Sequence, residues 1–238
     1  MTKYEKISVL ARETAKRISA NREEWIRYLD VASRLYKYPF EDQILIYAQR
    51  PDATACASLE MWNEKMFCWV NRGAKGIALL DGESERPRLR YVFDVTDVHK
   101  AKRIGRDPFI WHLREEHKEA VLAGLEHIYG STNDSLSFES RIYEIAAGIA
   151  EDFYEEAVDE VIDAAANSFL EDLDGDVVSV RFREMLVQSV SYIVLKRCGC
   201  DMTEFADDFT FDYIHEFNTL RTLSVLGSST SVRKVLMY

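Results

Sequence analysis

The sequence predicts an α+β fold, with N-terminal helices and a small antiparallel β-sheet followed by a mainly α-helical C-terminal domain. Three observations predict it. All four prolines, Pro39, Pro51, Pro87 and Pro108, precede residue 109, a composition shift that separates a mixed first part from a helical second one. Between Phe67 and Val95 lie short apolar or alternating runs punctuated by glycine, the pattern of strands. Beyond Pro108 the apolar residues recur at three and four, the helical period. The boundary falls near 105–108, giving one domain over 1–107 and a second over 108–238. With 47% hydrophobic residues in 238, a large core needs neither disulfides nor metals, and a disordered acidic tail is excluded despite a net charge of −11.

Asn21 is placed to cap a helix with Glu24 at the capping-box position, and Trp25, Leu29, Ala32 and Leu35–Tyr36 form its apolar stripe. A shorter helix is expected from Glu41 to Gln49, stopped by Pro51. Phe67–Val70 and Ile77–Leu80 flank Asn71-Arg72-Gly73-Ala74-Lys75-Gly76 and read as two strands joined by that turn. Over Arg88–Val95, alternation puts Leu89, Tyr91, Phe93 and Val95 on one face. Arg88, Arg90, Val92 and Asp94 take the other, so a small sheet with one basic, wet face is expected.

Leu113, His117, Val121, Leu125 and Ile128 line the first helix of the second part. Ile142, Ile145–Ala146, Ile149, Phe153, Ala157, Val161 and Ala165 line the next. A third, about Val178–Arg197, has almost no polar face and is expected at the centre, with Lys196-Arg197 in its last turn and Gly199 just beyond.

Catalytic motifs are missing. His112 and His117 are five apart and no H-E-x-x-H occurs; G-x-x-x-x-G-K-[ST], G-x-G-x-x-G and G-x-S-x-G are absent too. Cys198 and Cys200 have a single residue between them and Cys56 and Cys68 lie twelve positions apart, unlike the C-x₂₋₄-C of structural zinc. The acids of Glu151–Asp163 fit the solvated face of an amphipathic helix. Asp172–Asp176 resembles a calcium loop but has Arg183 where the twelfth-position Glu should stand, so it reads as a turn with a helix N-terminus. A non-enzymatic protein with no cofactor and no metal is expected. With no apolar run near the roughly 20 residues that span a bilayer, and no secretory h-region over Met1–Glu13, it is expected in the cytoplasm and off the membrane.

The net charge conceals a division. Residues 1–130 hold 22 Lys and Arg against 20 Asp and Glu, whereas residues 131–238 hold 8 against 21. Within Lys65–Arg114 the balance reverses to 11 basic against six acidic, with Phe67, Trp69, Tyr91, Phe93, Phe109 and Trp111 interleaved. Cations that track phosphates beside rings that stack on unpaired bases are what single-stranded nucleic acid requires. The same rings also fit the buried face of a sheet, with the arginines as its solvated face.

The stretch Tyr38-Pro-Phe-Glu-Asp-Gln-Ile-Leu-Ile-Tyr-Ala-Gln-Arg-Pro-Asp-Ala-Thr-Ala55, then Trp62, then Trp69-Val-Asn-Arg-Gly-Ala-Lys-Gly-Ile-Ala-Leu-Leu80, then Tyr91-Val-Phe-Asp-Val95, resembles the N-terminal domain of the antirestriction protein ArdC. It is most similar to the version at the front of large multidomain proteins carried by conjugative elements of Firmicutes. Val178–Arg183, Tyr192–Gly199, Phe217–Thr219 and Ser224–Gly227 extend the likeness over most of the chain. The resemblance implies a small α+β domain that binds single-stranded DNA and helps incoming DNA escape host defences. By position, Gln49, Trp62, Arg72, Gly73, Lys75, Gly76 and Phe93 match the family pattern. Where relatives carry a glycine and then a polar or basic residue, this chain has Phe67-Cys68, which removes a phosphate contact or adds a stacking ring. The zinc-peptidase segment of full-length ArdC proteins is not expected in these residues.

Residues and resemblance together give a DNA-binding set of Gln49, Lys65, Trp69, Arg72, Gly73, Lys75, Gly76, Arg88, Arg90 and Tyr91. Arg72, Lys75, Arg88 and Arg90 would hold phosphates, Trp69 or Tyr91 would stack, and Gly73 and Gly76 would let the turn approach the strand closely. The expected role is a single-stranded DNA-binding, antirestriction-type accessory of a mobile genetic element. The alternative is an inhibitor of a bacterial restriction or CRISPR effector, a host defence complex whose basic groove the acidic half would occupy in place of DNA.

Overall fold

Thr2 opens the first helix by accepting a hydrogen bond from the Glu5 amide at 3.2 Å while its own amide donates to the Glu5 carboxylate at 2.7 Å, a complete capping box. That helix, α1 (Lys3–Ile18), is followed by α2 (Arg22–Arg34) and α3 (Phe40–Gln49). Asn21 caps α2 through the Glu24 amide at 3.0 Å, as expected, but the Glu24 side chain turns to Arg27 instead of closing a box. Gln43 ties α3 to the end of α2: it accepts from the Tyr28 hydroxyl at 2.8 Å and donates to the carbonyls of Leu35 and Tyr38 at 3.2 and 2.9 Å. All the groups of a buried amide are thereby satisfied.

The computed structural model describes residues 1–82, 86–101, 108, 110 and 112–230. The expected boundary near 105–108 and the basic and aromatic positions Lys102, Arg103, Arg106, Phe109 and Trp111 fall wholly or largely outside them. The architecture is α+β, with the sheets confined to the N-terminal part.

Five short strands follow the first three helices: β1 (Cys56–Ser58), β2 (Cys68–Val70), β3 (Ile77–Asp81), β4 (Arg88–Asp94) and β5 (Val98–Lys100). They form two antiparallel sheets, one in the order β1-β4-β3 and one of β2 with β5. The expected hairpin between 67–70 and 77–80 is therefore not formed. Ala74 closes a turn on the Asn71 carbonyl at 3.0 Å, Gly73 sits at φ +89°, and the chain leaves β2 for a different sheet. β2 pairs across Trp69 and His99, a strand that local sequence gave no reason to choose.

The expected faces of β4 are also exchanged. Val92 and Asp94 are buried, and Tyr91 on the supposed apolar side is exposed. Val92 lies opposite Ile77, and Arg90 opposite Leu79, on the side that packs toward α3.

The second part is built from α4 (Lys118–Tyr129), α5 (Phe138–Ala164), α6 (Gly175–Arg197) and α7 (Leu220–Ser229). In α4 the buried side chains are Leu122 and Leu125, whereas Ile128, expected on the stripe, is exposed. Of the expected α5 stripe, Ile142, Ile145, Ala146, Ile149, Ala157 and Val161 are buried, whereas Phe153 is only half-buried. Asp174 caps α6 by accepting from the Asp176 amide at 2.9 Å. At the other end Gly199, at φ +68°, and Cys200 donate to the carbonyls of Lys196 and Leu195, both at 3.1 Å, a Schellman closure.

Helix α6 is central, packed on α5, α2 and α7. The buried residues of 1–107 and of the described remainder join in one core: the Trp25 indole donates to Ser189 at 3.0 Å, and α7 packs on α1 and α3. At Gly227 a side-chain carbon would sit 1.9 Å from Phe40 Cδ2, so only glycine allows α7 this close to α3. No helix among the described residues is long and apolar enough to cross a membrane.

Candidate nucleic-acid interface

Two adjacent residues at the end of α3 hold the two sheets. Gln49 donates from Nε2 to the Ala78 carbonyl at 2.8 Å and accepts at Oε1 from the Ala78 amide at 3.0 Å. Arg50 donates to Asp97 Oδ2 at 2.9 Å and to Thr96 Oγ1 at 2.7 Å, in the turn that leads into β5. Position on one helix thus sets the position of both strands beside the site.

Asp94 shapes the same turn. Its carboxylate accepts from the amides of Thr54, Ala55 and Thr96 at 2.7, 3.1 and 3.0 Å and from the Thr96 hydroxyl at 2.8 Å. Burial opposes the charge, but these donors outweigh it and hold the Asp94 pKa below the usual carboxylate range. The neighbouring Cys56 thiol is pushed up to about 12 by burial and by the Asp94 charge, which keeps it protonated and unreactive.

On this frame the β2–β5 ribbon turns Cys68 inward and Trp69 outward. Trp69 is 48% exposed and Phe67, held at φ +53°, is 47% exposed. His99, directly across from Trp69, is exposed as well, with its Nδ1 2.7 Å from Asn71 Oδ1. Lys65 lies on the π-helical turn Met61–Lys65 just before this shelf, and Arg72 and Lys75 lie on the turn just after it. All three are exposed, and none has an ion-pair partner among the described residues. Gly73 supplies the positive φ of the turn. Gly76 lies against β4, where a side-chain carbon would come within 3.2 Å of both Tyr91 and Phe93.

The remaining expected residues are placed otherwise. Tyr91 is 38% exposed, but Lys3 covers it, donating to its hydroxyl at 2.7 Å with the ammonium 4.9 Å from the ring centre. Arg90 is ion-paired with the buried Asp42 of α3, and Gln49 is engaged with Ala78, so both serve the fold. Arg88 is at the Asp81 end of the β3–β4 ladder and Gly76 adjoins the Ile77 end, roughly 14 Å away at strand rise. The structure therefore brings together Lys65, Trp69, Arg72, Gly73, Lys75 and Gly76, and not Arg88 or Arg90.

Phe67 and His99 join the shelf although neither belongs to the expected DNA-binding set. Phe67 gave a signal, as an aromatic beside Trp69 in a basic stretch; His99 gave none until its pairing with β2 was known. Trp62, matched to the ArdC pattern, is buried and donates to the Phe93 carbonyl at 2.9 Å. Compared with known proteins, the chain matches no family model, no curated protein and no solved structure. The arrangement can offer two ring faces and three exposed cations.

Proposed function

We propose that the protein binds single-stranded DNA on the Phe67–Trp69 shelf, as a non-enzymatic, antirestriction-type accessory of a mobile genetic element acting in the cytoplasm. The observation that carries this reading is two large aromatic side chains left exposed between three exposed cations, Lys65, Arg72 and Lys75, that have no ion-pair partner among the described residues. Exposed Trp and Phe on a packed protein lose hydrophobic stabilisation unless something covers them. Unpaired bases stack on such rings whatever their sequence, and the cations meet the phosphates on either side. Duplex DNA hides its base faces, so single strands are preferred. The likeness of Trp69–Leu80 and its flanks to ArdC domains supports the same partner.

The test is fluorescence anisotropy with a labelled oligo-dT and a duplex of equal length at low salt. Tighter binding of the single strand is expected; no binding of either, or equal binding of both, would remove the reading.

A second reading uses the other half. Asp152, Glu155, Glu156, Asp159, Glu160 and Asp163 are exposed along α5 and have no cation partner among the described residues. A defence effector with a basic DNA groove would be blocked by this row of charge. Inhibition of DNA binding by such an effector, lost when the row is neutralised to Asn and Gln, separates it from the first reading.

A further inference from the structure

Trp69 has two polar neighbours on its own face of the β2–β5 ribbon. The Ala101 amide donates to the Phe67 carbonyl at 2.9 Å and the Asn71 amide to the Asp97 carbonyl at 2.8 Å, so the ladder continues one residue beyond each end of β2. Trp69 and Asn71, two positions apart, therefore share one face, and His99, directly across from Trp69, shares it with them. Side chains opposed in this way begin about 4.5–5.5 Å apart. All three are exposed.

His99 Nδ1 lies 2.7 Å from Asn71 Oδ1. A carboxamide oxygen can only accept, so the hydrogen between them belongs to Nδ1. In the neutral imidazole Nε2 then carries a lone pair, and it has no hydrogen-bond partner among the described residues. Asn71 thereby selects the tautomer and leaves an acceptor beside the Trp69 ring.

An acceptor narrows what can sit there. Phosphate oxygens also only accept, so a neutral His99 offers them nothing, whereas a base lying on Trp69 carries donors on its Watson–Crick edge. In a duplex that edge is consumed by pairing. We propose that His99 Nε2 accepts a hydrogen bond from the Watson–Crick N–H of the base that stacks on Trp69, with Asn71 as the positioning residue that holds the imidazole for it. The inference rests on the single-stranded DNA reading and adds a contact that depends on neither charge nor ring area.

Thymine isolates this contact, because N3–H is its one donor, and N3-methylthymine lacks it while keeping the ring, both carbonyls and the phosphates. Anisotropy titrations at about pH 8, where imidazole is neutral, compare oligo-dT with an oligonucleotide of equal length built from N3-methylthymidine. The wild type should bind oligo-dT about fivefold more tightly, the worth of one net hydrogen bond. His99→Phe keeps a ring opposite Trp69 but has no acceptor, and its preference should vanish. Asn71→Leu lets the imidazole turn, so its preference should lie between the two. Each variant is judged by the ratio of two affinities, which a partly unfolded preparation does not imitate. Equal binding of both oligonucleotides by the wild type would overturn the proposal, and so would a preference that survives in His99→Phe, since steric rejection of the added methyl needs no imidazole. A full preference in Asn71→Leu would overturn the positioning by Asn71. Oligo-dT binding that is weakened in Trp69→Ala but indifferent to methylation leaves the DNA reading standing without this contact; failure of the wild type to bind either oligonucleotide removes both.

Discussion

Affinity for an oligo-dT should depend on salt with a slope set by Lys65, Arg72 and Lys75. On a single strand each neutralised phosphate contributes about −0.7 to the slope of log affinity against log salt. Three cations therefore give about −2, and raising salt from about 50 to about 200 mM should weaken binding roughly twentyfold. All 11 basic residues of Lys65–Arg114 acting together would instead give a slope of roughly −8. Of the cations that the smaller figure leaves out, Arg88 lies at the other end of its strand and Arg90 is engaged with Asp42. Anisotropy titrations at five or so salt concentrations measure the slope directly. Arg72→Ala and Lys75→Ala should each make it shallower by about 0.7, with the melting temperature unchanged because both side chains are exposed. A slope that stays at its wild-type value in the Arg72→Ala, Lys75→Ala double variant would refute the assignment of phosphates to this turn.

Trp69→Ala should cost about 1–3 kcal/mol of oligo-dT binding while leaving stability intact, whereas Trp62→Ala, at a buried ring, should cost about 3–5 kcal/mol of folding free energy in a urea titration. Gly227→Ala should destabilise by at least about 1–3 kcal/mol, since its methyl group meets the Phe40 ring, and Phe40→Leu in the same chain should recover part of that loss. Arg90→Leu leaves the Asp42 carboxylate buried without its cation and should lower stability at pH 7 by about 2 kcal/mol, reduced from the fully buried case because Arg90 is 44% exposed. Burial already raises the Asp42 pKa against the pull of Arg90, so the folded state takes up its proton at a higher pH than the unfolded chain and ionisation favours unfolding. The deficit of Arg90→Leu should therefore shrink as pH falls through the carboxylate range, and chemical denaturation at pH 7 and near pH 4 checks it.

Helices with a clean stripe were legible. The Asn21 and Asp174 caps, the Gly199 stop and the burial of α6 follow from local chemistry that acts within a few residues. Helix α1 drew no expectation, because its stripe, Leu10, Ala11, Thr14, Ala15 and Ile18, is interrupted by charge and relies on small residues. Strand pairing was not legible. Alternation says which residues share a face, not which strand lies alongside, and β2 chose a partner some thirty residues on. The faces of β4 were exchanged for a more specific reason: charged residues were counted as wet. Asp94 enters the core because four donors replace its water, and Arg90 faces α3 because Asp42 waits there, 48 residues earlier. The grouping of the candidate residues was legible where they are contiguous, over Lys65–Gly76, and not where it depended on β4.

The paired bonds between Gln49 and Ala78 bear on how the protein behaves in a crowded cell. Strand β3 is the outer strand of its sheet, and an outer strand offers bare amides and carbonyls to any extended chain that drifts past. The Gln49 carboxamide presents the same donor and acceptor as one peptide unit, so it occupies Ala78 as a single residue of a fourth strand would. With both groups of Ala78, the second residue of a five-residue strand, already taken, an extended peptide could pair only with the part of the edge beyond it. One side chain from α3 thereby shortens the template on which amyloid-like growth would begin.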